Sequence, residues 1–308
     1  MSCRDTSGCV CIALSTHARI CHITCSKFAY QHRPTLECIC YNSPVYPNDI
    51  PLLKHPLAAP SAFTADSLVA AVRSERNLSP EAVPPVCLLE FDGDLTDWMV
   101  TSGHVQVYKN WACFHTVMHT IDVDGSRCGI IPRTIGGPYA VLIAEQLRAS
   151  GVQVILGLTS AGRLGRSLPL PSLVVVEEAI RDEGTSYHYL PPSDSVHSNA
   201  ALVASLAGEI GLEGLPVTRG RVWTTDAPYR ETQQQLDHYA ASGVLAVEMQ
   251  AASLLAFSNA RGTPVGIVAV VSNAVDHRED TFNKGSYDFG KRLIEAMCRS
   301  GIRYLKGS

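Results

Sequence analysis

Residues 243–257 read Gly-Val-Leu-Ala-Val-Glu-Met-Gln-Ala-Ala-Ser-Leu-Leu-Ala-Phe, and the reading of this stretch decides the fold. Val244 to Val247 are apolar and strand-like, and Ala251 to Phe257 continue without Gly or Pro, as a helix requires. Glu248-Met249-Gln250 sits at the handover. In an open α/β sheet the carboxyl end of a strand is where ligands bind. Two hydrogen-bonding side chains flanking a thioether suit a small polyol with one apolar face. The same triplet also fits a plain helix N-terminus whose leading Glu complements the helix dipole. The triplet alone does not choose between them.

The flanking sequence repeats the strand-to-helix alternation. Val86 to Phe91 is a short apolar strand ending in Asp92-Gly93-Asp94. Trp111 to Ile121 and Arg127 to Ile131 read as a hairpin with Asp124-Gly125 as the turn. Gly136-Gly137-Pro138 opens a helix to about Ser150, with Pro138 at a first-turn position. Val152 to Leu156 is a strand followed by a loop from Gly157 to Pro171, and Leu173 to Ile180 is a further strand. Val196 to Ile210 reads as helix and Val217 to Thr224 as strand. Pro264 to Ser272 is a continuous apolar run, as in a buried parallel strand, and Asp288 to Arg303 closes as an amphipathic helix. The alternation predicts one α/β domain, residues 86–308, with a mostly parallel sheet.

Before that domain, residues 44–85 form a proline-rich linker with a short helix over Ser67 to Arg76. Residues 1–43 hold seven of the eleven cysteines without helical or strand periodicity. Cys9-Val-Cys11 and Cys38-Ile-Cys40 invite a zinc reading, but their spacing is not that of a common zinc module, so no metal is expected. This segment reads as a disordered extension outside the fold. The scattered remaining cysteines fit a reduced, cytoplasmic protein. A net charge of −4 and pI near 6.2 give no reason to expect nucleic acid or an anionic membrane as partner. No apolar run approaches the roughly 18 residues of a membrane span.

Several strand-end loops resemble the nucleoside phosphorylase and nucleosidase superfamily of uridine phosphorylase and hexameric purine nucleoside phosphorylase. The residues that carry the resemblance are Thr224 to Thr232, Val247 to Ala252, Arg181 to His188, Ile135-Gly136-Gly137-Pro138 and Val271-Ser272-Asn273, in the family's order. The resemblance implies a single three-layer α/β/α domain with a mixed, mostly parallel central sheet. It also implies cleavage of the N-glycosidic bond between base and ribose, without metal or organic cofactor. Inorganic phosphate is the possible co-substrate, and the implied assembly is a homo-oligomer, a dimer or trimer of dimers.

The site residues that the resemblance implies carry departures from the family pattern. Glu248, Met249 and Gln250, with Ser160, Ala161 and Gly162, would hold the sugar. Gln250 stands where the family has a Glu, keeping an acceptor but losing a charge. Asn273 stands where purine enzymes have an acid. It cannot be a general acid but can pair with an oxo group and a ring NH, which favours a 6-oxopurine or pyrimidine. Tyr229 and Arg230 would line the base pocket or pack as a wall. Gly93 matches the phosphate turn, but the two arginine positions fall on Asp97 and Gly157. A carboxylate there repels phosphate and can activate water, so Asp97 or Glu90 becomes the candidate base and water is favoured as acceptor. Arg133, Arg163 and Arg166 are the cations that would rebuild a phosphate site. His55 reads as a surface residue, His115, His119 and His188 as strand-face residues, and Asp226 as a loop-organising acceptor.

Overall fold

The computed structural model describes residues 50–307 except 55, 80, 166–167, 215 and 276–282. The cysteine-rich residues 1–43, His55 and Arg166 lie outside the described residues. Strand β1 (Val86–Glu90) is buried along its whole length, between β4 (Ser126–Pro132) and β5 (Val154–Arg163), both parallel to it. β4 forms a hairpin with β3 (Met118–Val123), and β2 (Gln106–Tyr108) adds an edge. At the hairpin turn Asp124 (φ 51°) and Gly125 (φ 74°) are both left-handed, the twist that a two-residue hairpin needs.

Beyond β5 the sheet closes on itself. β5 runs parallel to β10 (Val265–Ala274), which pairs antiparallel with β6 (Ser172–Asp182). β6 runs parallel to β8 (Val217–Thr225), and β8 to β9 (Val244–Glu248). β9 then returns antiparallel to the end of β5, through Gly162–Val247 and Arg163–Ala246. The ring β5–β10–β6–β8–β9 thus has one open wing, β1–β4–β3–β2, and β7 (Ser195–His197) lies along β6.

Helices cover both faces. On one, α3 (Gly137–Ala149) and α6 (Ala251–Arg261) bury Ile143, Leu147, Leu254 and Phe257 against Leu89, Ile155, Val174 and Ile267. On the other, α2 (Asp94–Thr101), α4 (Ala200–Leu212) and α7 (Tyr287–Gly307) bury Met99, Leu206, Leu293 and Met297 against Leu88, Leu156, Val175 and Val268. Neighbouring residues such as Leu88 and Leu89 feed opposite clusters, which is why these strands are apolar runs and not alternations. The outcome is a three-layer α/β/α domain with a mixed sheet. α1 (Ala65–Glu75) packs Val69 and Val72 near Ala149, and α5 (Gln233–Ala241) opens with a reciprocal Thr232–Gln235 capping box.

Three boundaries differ from expectation. Residues 157–163 are strand, not loop, because the polar end of β5 pairs with β10 on one side and β9 on the other. Residues 195–197 form β7, so the helix read from Val196 begins at Ala200, capped by Asn199. His115 lies in a loop and His188 in a single 3-10 turn, leaving His119 as the strand-borne member of the three.

Candidate active site

The carboxyl ends of β1, β5, β9 and β10 meet at a cleft of about 440 Å³. Ser160, Ala161 and Gly162 come from β5, Glu248, Met249 and Gln250 from the end of β9, and Asn273 from β10. Asp92 enters from the turn after β1, while Ile135 and Tyr229 stand at the mouth, 55% and 99% exposed. Residues up to 183 positions apart in sequence share this wall because the sheet brings parallel strand ends to one side.

At the β9–α6 junction the side chains turn inward. Glu248 is buried and accepts from the N–H groups of Gln250 (2.7 Å) and Ala251 (2.8 Å), capping α6. Its other oxygen accepts from the Thr224 hydroxyl, which itself accepts from the Ala252 N–H (2.9 Å). Burial pushes the Glu248 carboxyl up to about 7, against the pull of these donors. Gln250 is 1% exposed: its oxygen accepts from the Gly136 N–H (2.8 Å), and its amide donates to the Thr159 hydroxyl (2.9 Å). The Gln250 oxygen, expected to meet a sugar diol, lies at the cleft and spends one of its two lone pairs tying α3 to the cleft floor. Glu248 likewise serves as a cap. Gly136 carries a left-handed φ of 90°, and a Cβ on Gly137 would come within 2.2 Å of Ser253 Oγ, so the double glycine lets α3 start against α6. Met249 is half-buried on the wall.

The β1–α2 junction is built alike, with a different product. Glu90 is buried and accepts from the Gly93 N–H (2.8 Å), the Thr96 N–H (3.2 Å) and the Thr96 hydroxyl (3.0 Å). Burial is the larger influence and holds its carboxyl above the ordinary range despite those donors. Of the two candidate bases at this end, Glu90 is engaged as a cap by three donors, and Asp97 lies exposed on α2, ion-paired with Arg133 and away from the cleft wall. Arg133 is left-handed (φ 61°) and lies across Gly93, whose own φ is 90°; a Cβ there would come within 2.4 Å of Arg133 Cγ.

Two residues of the site carry no signal in the sequence reading. Asp92 accepts from the Ser160 hydroxyl (3.1 Å) with one oxygen and from the Lys284 ammonium (2.9 Å) with the other. Lys284 also donates to Asp94 (3.2 Å). Burial works against the ammonium, but the two carboxylates outweigh it and raise its pKa. Glu90, Asp92 and Asp94 bring carboxylate oxygens within 4.8 Å of one another, and Lys284 bridges two of the three.

The other candidates divide. Asn273 is half-buried on the wall; its oxygen accepts from the Ser272 hydroxyl (3.1 Å) and its amide donates to the Ala274 carbonyl (3.2 Å). One lone pair and one N–H remain for a ligand. Arg163 is off the wall and donates to the Leu168 carbonyl (3.1 Å), and Arg230 lines a neighbouring cleft with Arg181 and Asp226. Asp226 accepts from the Gly184 N–H (2.9 Å), which ties its loop to the one after β6. Tyr229 is fully exposed and packs as no wall.

Residues 93–306 match the family model of the phosphorylase superfamily, more than half of the chain. The chain belongs to that superfamily. It is similar to a guanosine phosphorylase of Halorubrum lacusprofundi, 27% identical over 48% of this chain and 61% of the relative. It is similar also to a DeoD-type purine nucleoside phosphorylase of a Geobacillus species (24%, covering 60% and 76%) and to a uridine phosphorylase of Salmonella typhimurium (23%, covering 49% and 65%). The chain therefore spans less than two thirds of the guanosine and uridine phosphorylases it matches. Among the described residues no helix is long and apolar enough to cross a membrane.

Proposed function

We propose that this protein cleaves the N-glycosidic bond of a nucleoside, with water as the acceptor. The observation that carries the reading is the meeting of Ser160, Met249 and Asn273 on one cleft of a phosphorylase-superfamily fold, with a half-buried acid, Asp92, beside them. Ser160 and Met249 face the ribose, and the free positions on Asn273 pair with the oxo group and ring NH of a 6-oxopurine or pyrimidine. The relative named guanosine phosphorylase favours the 6-oxopurine.

Water is favoured over phosphate by charge. The β1 corner carries Glu90, Asp92, Asp94 and Asp97, while its described cations, Lys284 and Arg133, are paired with Asp92, Asp94 and Asp97. Glu90 already takes the Gly93 and Thr96 N–H groups at the start of α2, two of the donors an anion would use there. Phosphorolysis is the second reading, favoured by the names of the relatives. The same proposal has the enzyme working without metal or organic cofactor, as a cytoplasmic homo-oligomer, with exposed Ile135 and Tyr229 at the mouth available to a neighbouring subunit. Incubation with guanosine, inosine and uridine, with and without phosphate, tests it. Free ribose in phosphate-free buffer is expected. Ribose 1-phosphate formed only with phosphate would establish the second reading, and binding without any product would leave a nucleoside-binding protein.

A further inference from the structure

The geometry points to Asp92 as the base that takes the proton from the attacking water, and to Lys284 as the residue that positions it; this rests on the hydrolytic reading above. Three acids share the cleft wall. Glu248 is consumed in capping α6, and Glu231 stands at the mouth, where it also faces the neighbouring cleft. Asp92 is held at the inner end, beside Ser160.

Its two oxygens are each tied once, one by Ser160 and one by Lys284, so each keeps a lone pair for a further proton. A chamber of about 70 Å³ adjoins this point and shares Asp92, Thr159 and Ser160 with the cleft wall. That volume admits a few water molecules, and Lys284, Asp94 and Ser160 give them polar partners. The carboxylate, its countercharge and a place for water therefore coincide at one spot on the wall. Lys284 reaches it from the loop just before α7, 192 residues away in sequence, and fixes the Asp92 carboxylate by bridging it to Asp94.

In the step itself one proton passes from water to an Asp92 oxygen as the water oxygen bonds to C1′ of the ribose. The C1′–N bond breaks, and its electron pair stays with the base, which takes up a proton from solvent. Asp92 then returns its own proton to solvent, leaving ribose and free base.

The test uses the full-length protein with guanosine in phosphate-free buffer, reading ribose release, with thermal melting and guanosine binding measured on every variant. Asp92→Asn is expected to lower kcat about 10²–10⁴-fold with KM little changed, as loss of a general base does. Asp92→Ala is expected to regain part of that rate in formate, whose carboxylate enters the vacated space. Lys284→Met is expected to lower kcat with KM little changed, and Lys284→Arg to restore most of it, a pattern that a merely structural lysine would not give. If Asp92→Asn does not fold, the formate and Lys284 results decide. Wild-type hydrolysis together with a fully active Asp92→Asn, no formate rescue, or an unchanged kcat in Lys284→Met overturns the role of Asp92 alone. A wild type that needs phosphate overturns the hydrolytic reading and this proposal with it.

Discussion

The β1–α2 and β9–α6 junctions solve one problem twice. In each, the last strand residue is a buried glutamate, Glu90 or Glu248, that folds over to accept from the N–H groups opening the next helix. They differ in what the linking residues present. After β9 only Met249 and Gln250 intervene, and they give the cleft a thioether and an amide already spent on Gly136 and Thr159. After β1 the turn is a residue longer and passes through left-handed Gly93, which frees Asp92 to face the cleft with Lys284 behind it. A shared cap with a different turn thus yields one neutral wall and one charged wall, and the charged one is where the proposed proton transfer would take place.

The sharpest way to break this comparison is to remove the caps. Glu248→Ala is expected to lose roughly 4 kcal/mol in a urea melt, because two backbone N–H groups and the Thr224 hydroxyl lose a buried acceptor. Next is pH. Folding raises the Glu248 carboxyl from 4.5 to about 7, so its contribution is full below 4.5 and is lost as pH rises through 7. Stability should fall on the order of 3 kcal/mol across that window, with Glu90 acting in the same direction, and Glu248→Gln should flatten the slope. Glu90→Ala is expected to lose less, about 2 kcal/mol, since Asp94 and Asp97 still complement the α2 dipole, whereas the first turn of α6 has no acid. An equal or larger loss than at Glu248 would mean that Asp94 and Asp97 do not make up for the lost cap. Smallest is Asp97→Asn: an exposed ion pair contributes little, so ribose release should stay within about twofold and stability within about 0.5 kcal/mol.

The strand–helix alternation was legible because strands buried on two faces must be apolar throughout, and the helix after Glu248 was read from its Gly- and Pro-free run, whereas α2 after Glu90 was not read at all. The strand character of residues 157–163 was not, because Thr159, Ser160, Gly162 and Arg163 interrupt the apolar run and owe their conformation to two distant partners. Of the site, Met249 was read from its strand-to-helix triplet, while Ser160 and Asn273 were reached only through the resemblance; the structure lines all three along one cleft. The inward turn of Gln250 was not, since it depends on a Gly136 N–H 114 residues away. Asp97 drew the reading by its place in a motif, yet a helix three residues into its course points it outward. Asp92 was passed over within its own Asp92-Gly93-Asp94 turn and Lys284 belongs to no local pattern; only the fold makes the two neighbours.

The short antiparallel seam at Gly162–Val247 and Arg163–Ala246 both fastens the ring and forms part of the cleft floor. Lengthening either strand end would unfasten the one by remodelling the other, and a Cβ at Gly162 would already come within 2.6 Å of Val275. New specificities on this scaffold must therefore come from exchanging single side chains around a fixed perimeter, with inserted loops confined to the rim.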